Sequence, residues 1–221
     1  MNCDTENNNC IINSVYIDNV KVEKYLKNLD INKDTGPDGI HPIFLRQCSK
    51  HLAAPLSLLF NISLRQGVMP LLWKQSIVVP IFKSGDKHNI ANYRRISKLS
   101  VIPKLFEKII YDSLFPVIKP QIVSSQHGFI PGRSTETNLC EFQDETLEAM
   151  ERGYQVDAVY TDFSKAFDKI SHNLMIAKLV NVVVILVVVY IFNYYSASQR
   201  RIKFLVFLIL CLSKSKLAYI F

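Results

Sequence analysis

VYTDFSKAFDKISHNLMIAKL, residues 159–179, decides how the rest of the chain is read. VDAVYTDF (156–163) is a short run rich in β-branched and aromatic residues and predicts a buried strand. KAFDKISHNLMIAKL (165–179) spaces its apolar residues as a helix does. A strand that ends in Asp162 and turns into a helix presents one carboxylate at the edge of a sheet. Such an oxygen ligand suits Mg²⁺, which takes one or two carboxylates and completes its shell with phosphate oxygens and water. A lone strand-end Asp is more often a cap or turn residue, so Asp162 takes its meaning from the rest of the chain. Asp168 is expected on the following helix in a structural role.

Working outward, Ser134 is placed to cap a helix from about Thr135 to Arg152. SSQHGFIPGRST (124–135) before it is a Gly/Pro loop. Residues 102–114 predict a helix that tolerates Pro103 in its first turn. SIVVPIF (76–82) predicts a strand, with Pro80 marking an edge or a bulge. KSGDKHNIANY (83–93) is a turn-rich loop. Residues 43–65 predict one or two helices, with Pro55 as the expected break. NKDTGPDGIHP (32–42) is a loop, and VKVEKYLKNL (20–29) carries helical spacing. GPDGI lacks the Gly-Lys-Ser/Thr of a phosphate-binding P-loop and is read as a structural turn.

Taken in order, these stretches resemble the reverse transcriptases of non-LTR retrotransposons, in particular the jockey type. The residues that carry the resemblance are GPDGI (36–40), PIFKSGD (80–86), NYRRIS (92–97) with KLFEKII (104–110), HGFIPGRST (127–135) and the opening run at 159–179. The ordered set is specific where each motif alone is not, and it covers roughly residues 20–179. The resemblance implies RNA-directed DNA synthesis from dNTPs by two-metal phosphoryl transfer. It also implies an α+β fold of helical fingers with a small sheet leading into a palm.

Family roles carry over residue by residue. Asp162 matches the first metal-binding aspartate, with the backbone carbonyl of Phe163 completing the site for Mg²⁺ or Mn²⁺. Phe167 matches the aromatic beneath the incoming sugar, where a 2′-hydroxyl would clash. Lys83 and Arg94 match the finger residues that grip the dNTP triphosphate, a role suited to concentrated positive charge. Residues 70–110 hold eight Lys or Arg against Asp86 and Glu107. Lys74, Lys87 and, further on, Arg133 are the nucleic-acid contacts expected from this excess, with an RNA template and a DNA primer as partners.

The chain departs from the family at Arg95, which stands where proline is usual, and at Lys98, which stands for leucine. No [FY]-[AV]-D-D occurs in the 221 residues, nor a Gly-Pro-Gln-Gly loop. The expectation is therefore a partial domain, inactive alone, with three parts: a polar segment 1–19, fingers and first palm motif 20–179, and a divergent apolar, basic tail 180–221. A separate chain supplying the rest of the palm is a candidate partner, and a non-catalytic nucleic-acid-binding remnant is the alternative reading.

Composition bounds these readings. At 49% hydrophobic and 20% charged residues the chain is too apolar for a disordered tail. A formal net charge of +7 permits a nucleic-acid partner. Five widely spaced cysteines without a CxxC pair argue against a disulfide framework or a zinc site. The polar start MNCDTENNNC is no secretory signal, which points to a reducing, intracellular compartment. The last 42 residues hold no Gly, Pro, Asp or Glu. Their apolar runs, Val182–Phe192 and Phe204–Leu212, fall short of the ~20 residues that span a bilayer. Membrane association is the least supported reading.

Overall fold

The computed structural model describes residues 15–159. α1 (Asn19–Lys27) starts where Asp18 accepts a hydrogen bond from the Lys21 N–H at 2.6 Å, and it buries Val22 and Leu26. α2 (Pro42–Gln47) opens with proline, which suits a first turn whose N–H has no helical partner. α3 (Ser49–Gln66) ends at Gly67, whose φ of 64° is the left-handed conformation that favours glycine. Residues 43–65 are thus divided between two helices, but the break falls at Cys48 and not at Pro55. Pro55 lies inside α3 with its side chain exposed. Its missing hydrogen bond is outweighed by what the other face buries, including Ala53, Leu56, Phe60 and Leu64.

α4 (Leu71–Lys74) contributes Trp73 to the core. After the sheet, α5 (Val101–Ile118) runs four residues beyond the expected helix and buries Leu105, Phe106, Ile109, Ile110 and Leu114. Three rings make the centre of this helical body. Phe60 stacks on Phe106 with centroids 4.6 Å apart, and Trp73 lies 5.7 Å from each. Chain entry is fixed as firmly. Ile17 is fully buried, its N–H donates to Asn61 Oδ1 at 3.0 Å, and its carbonyl accepts from Asn61 Nδ2 and Ser57 Oγ at 2.7 Å each.

The sheet has two strands among the described residues, β1 (Ile77–Phe82) and β2 (Tyr93–Lys98). They pair antiparallel in unbroken register from Ile77↔Lys98 to Phe82↔Tyr93, so Pro80 marks an edge and no bulge. The sequence reading assigned no strand to β2. A 3₁₀ turn at Ile90–Asn92 closes the loop between the strands.

α6 (Thr135–Glu151) is capped by Ser134 as expected. The Ser134 hydroxyl accepts the Thr137 N–H, and the Thr137 hydroxyl accepts the Ser134 N–H. None of its side chains is buried. The preceding loop holds it instead: the ring of buried His127 lies 2.8 Å from Thr137 Oγ1 on one side and against the Glu141 carboxylate on the other. The result is a helical body carrying a small antiparallel sheet, as the α+β expectation has it at this coarse level. Of the strand expected at 156–163, only 156–159 are described, and they carry no regular structure.

Candidate nucleic-acid interface

The basic excess of residues 70–110 is carried largely by the β1–β2 hairpin and the loop at its tip. The register sorts it. Opposed residues of an antiparallel pair share a face, so Ile77, Val79 and Ile81 lie with Lys98, Ile96 and Arg94 on one face. Val78, Pro80 and Phe82 lie with Ser97, Arg95 and Tyr93 on the other. Lys83 continues the ladder, its N–H donating to the Asn92 carbonyl at 2.8 Å, and so takes the Arg94 face. Both of these residues are exposed. Lys87 stands on the opposite face, its ammonium 5.9 Å from the centre of the Phe82 ring. The structure thus brings Lys83 and Arg94 together and sets Lys87 apart with Arg95.

The tip is stiff for local reasons. Gly85 has φ 91°, and a Cβ there would meet Asn92 Nδ2 at 2.8 Å. That same amide donates to the Asp86 carbonyl at 2.8 Å, and the Asp86 carboxylate accepts the His88 N–H at 2.9 Å. Tyr93 donates its hydroxyl to the Lys87 carbonyl at 2.9 Å, while its ring packs on Phe82 at 5.4 Å. A loop pinned at four points holds the backbone beneath its cations in place, which would lower the entropy cost of binding an anion there. Sequence reasoning passed over Gly85, Asn92 and Tyr93 as members of this unit. The signal available was a Gly-Asp turn followed by Asn-Tyr at the start of the next strand.

The remaining basic residues divide. Lys74 ends α4 beside buried Trp73 and is half-buried. Lys98 donates to the Asp34 carboxylate at 2.7 Å, and this hydrogen bond holds the Asp34 carboxyl below its usual range. The residue that replaces the family's leucine therefore ties the GPDGI loop to the end of β2. That loop also presses on the start of α5: a Cβ on Gly36 would sit 2.3 Å from Ser100 Cα. Arg133 spends one guanidinium nitrogen on the carbonyls of Ser124 and Gln126, the latter at 2.8 Å, and so builds its own loop. Asp162, Phe163 and Phe167 lie outside the described residues. Among the described residues no group of three His, Cys, Asp or Glu side chains is arranged to hold a metal ion. No helix among them is long and apolar enough to cross a membrane.

Residues 83–206 match the family described as reverse transcriptase (RNA-dependent DNA polymerase). The chain belongs to the reverse transcriptase family. The match begins at Lys83, at the hairpin tip, and continues past Leu179 through YYSASQRRIKF (194–204). Curated relatives agree with the non-LTR, jockey-type resemblance of the motifs. The chain is 29% identical over 171 residues to a probable RNA-directed DNA polymerase from transposon BS of Drosophila melanogaster, covering 75% of this chain and 19% of that protein. It is 29% identical over 144 residues to a probable RNA-directed DNA polymerase from transposon X-element of the same species, covering 64% and 16%. It is 25% identical over 155 residues to the RNA-directed DNA polymerase from mobile element jockey of Drosophila funebris, covering 69% and 17%. This reverse transcriptase chain therefore spans less than a fifth of the length of these relatives.

Proposed function

We propose that residues 20–179 are the fingers and first palm motif of an RNA-directed DNA polymerase of a non-LTR retrotransposon, and that the hairpin is its phosphate grip. The observation that carries this reading is that Lys83 and Arg94 share one face of a pinned hairpin, in a chain whose reverse transcriptase match begins at that tip. Arg94 offers a planar fork to two phosphate oxygens, and Lys83 adds a compact point charge. Together they suit a dNTP triphosphate or the backbone of an RNA template. Lys74 and Lys87 extend the positive field along the path of the template–primer, while Arg133 acts by shaping the loop before α6.

In the same reading Asp162 and the Phe163 carbonyl would hold Mg²⁺, and Phe167 would lie under the dNTP sugar. When bound, the metal ions would activate the primer 3′-hydroxyl and neutralise the leaving pyrophosphate. The protein's own part in this reading is to hold the triphosphate between the hairpin and Asp162. The chain's 221 residues include no Asp-Asp pair. A polypeptide of these residues alone therefore binds nucleic acid without synthesising DNA.

Primer extension on an RNA template, with Mg²⁺ and with Mn²⁺, tests this. The expected result is no template-directed product, since losing ligands from a two-metal site costs on the order of a thousandfold or more in rate. Robust extension that disappears in Asp162→Ala would contradict the inactivity and leave the site assignment standing.

A further inference from the structure

The register puts both aromatic residues of the hairpin on the face that Lys83 and Arg94 do not use. Phe82 and Tyr93 are direct partners across the strands, and Pro80 with Arg95 is the next pair on that face. The Lys83–Arg94 face has no ring: its other strand residues are Ile77, Val79, Ile81, Ile96 and Lys98. Tyr93 is fixed by its hydroxyl, which donates to the Lys87 carbonyl at 2.9 Å. Its ring therefore supports Phe82 from a set position, with centroids 5.4 Å apart at 59°. Phe82 is still 37% exposed. The cover that remains is the Lys87 ammonium, 5.9 Å from the ring centre. That is the outer reach of a cation–π contact, about 6 Å. Lys87 is itself exposed, so another group can displace it from the ring.

A surface ring with cations beside it is the combination that unpaired nucleic acid uses. Bases stack on aromatic side chains while the backbone follows the positive charge. We propose that the Phe82–Tyr93 face is a stacking site for an unpaired base of single-stranded RNA, whose flanking phosphate takes the Lys87 ammonium from the ring. The proposal rests on the reading of the hairpin as a nucleic-acid contact, and adds where an unpaired base goes. Charge supports this occupant. Residues 77–98 hold five Lys or Arg and one acid, Asp86, whose carboxylate accepts the His88 N–H. Magnitude supports it too. Stacking on an aromatic side chain strengthens binding by roughly five- to a hundredfold per base. An exposed cation–π contact is worth only about two- to fivefold, so exchanging the ammonium for a base is favourable. A duplex gains less here, because its bases are already stacked on one another and must be pulled out to reach the ring.

The test measures binding of the full chain to three probes: a short single-stranded RNA, an abasic strand of the same length that keeps every phosphate, and a blunt RNA duplex. Wild type should bind the strand with bases roughly tenfold more tightly than the abasic strand. Phe82→Leu should lose that preference with its salt slope unchanged, and should bind the abasic strand and the duplex as wild type does. Phe82→Trp restores a π face and should bind the single strand as tightly as wild type. The wild-type comparison of the two strands needs no variant to fold. A failed phosphate grip shows separately, as an unchanged salt slope in Lys83→Ala/Arg94→Ala, and leaves the stacking site to be read from Phe82→Leu. Equal affinity of wild type for the two strands would overturn the proposal. So would a loss in Phe82→Leu that is as large on the abasic strand or the duplex. Self-association without RNA that Phe82→Leu abolishes would also overturn it, by giving this face to a second copy of the chain.

Discussion

Phe106 and Phe82 are both large aromatic residues, and the molecule uses them in opposite ways. Phe106 is fully buried in the helical body, stacked on Phe60 and flanked by Trp73. Phe82 is 37% exposed at the end of β1, with Tyr93 against one side and the Lys87 ammonium over its ring. The body holds its shape by excluding water from apolar surface. The hairpin holds its shape by hydrogen bonds at its tip, which leaves its cations and much of its apolar surface in solvent. Stability and the proposed phosphate contact are thereby housed in separate parts. A substitution should be felt as lost folding in one region and as altered binding in the other.

The largest expected effect breaks the body. Phe106→Ala should cost about 3–5 kcal/mol, read as a lower denaturant midpoint. Val78→Ala on the exposed strand face should cost under about 1 kcal/mol. Comparable losses at the two sites would erase the contrast. Next comes the seam between body and loop. Gly36→Ala should cost about 1–3 kcal/mol, because the new methyl group meets the backbone of Ser100 and not a movable side chain. Melting temperature reports it, and an unchanged value would mean that the loop lifts off freely.

A smaller effect depends on pH. Tyr25 donates its hydroxyl to the Asp112 carboxylate, bridging α1 and α5. Burial first, and then this neighbouring carboxylate, push its pKa from 10.0 up to about 12. The folded protein keeps the proton at a pH where the unfolded chain has lost it. The stabilisation is therefore full below pH 10 and drains away as pH rises to about 12. Tyr25→Phe should lose about 1 kcal/mol at neutral pH and flatten this alkaline decline. Denaturation curves across pH 8–12 check it; an equally steep decline in the variant would assign it to other groups.

What the sequence could show follows from how local each cause is. The α6 start was legible because a Ser cap and its partner lie within three residues, and the chain carries them as Ser134 and Thr137. β1 was legible from a run of β-branched residues. β2 was not, since YRRISK mixes charge on both faces and shows strand character only once paired to β1. The break at Cys48 was missed because the burial that carries α3 through Pro55 is a tertiary effect. At the site, family motifs pointed to Lys83 and Arg94 but not to their shared face, which the register alone decides. The roles of Lys98 and Arg133 were equally hidden, since one reaches 64 residues back to Asp34 and the other folds onto its own loop. Asp162 was the most legible residue of all and lies outside the described residues.

The phosphate grip is tested most directly by the salt dependence of RNA binding in two double variants. Lys83→Ala/Arg94→Ala strips one face of the hairpin, and Lys87→Ala/Arg95→Ala strips the other. Each phosphate contact to a single strand contributes roughly 0.7 to the slope of log affinity against log salt. The first variant should therefore lower the slope by about 1.4 and weaken binding at low salt, with the melting temperature unchanged, while the second should lower it by no more than about 0.7, through Lys87 alone. An unchanged slope in Lys83→Ala/Arg94→Ala, or an equal fall in both variants, would contradict a grip built on one face.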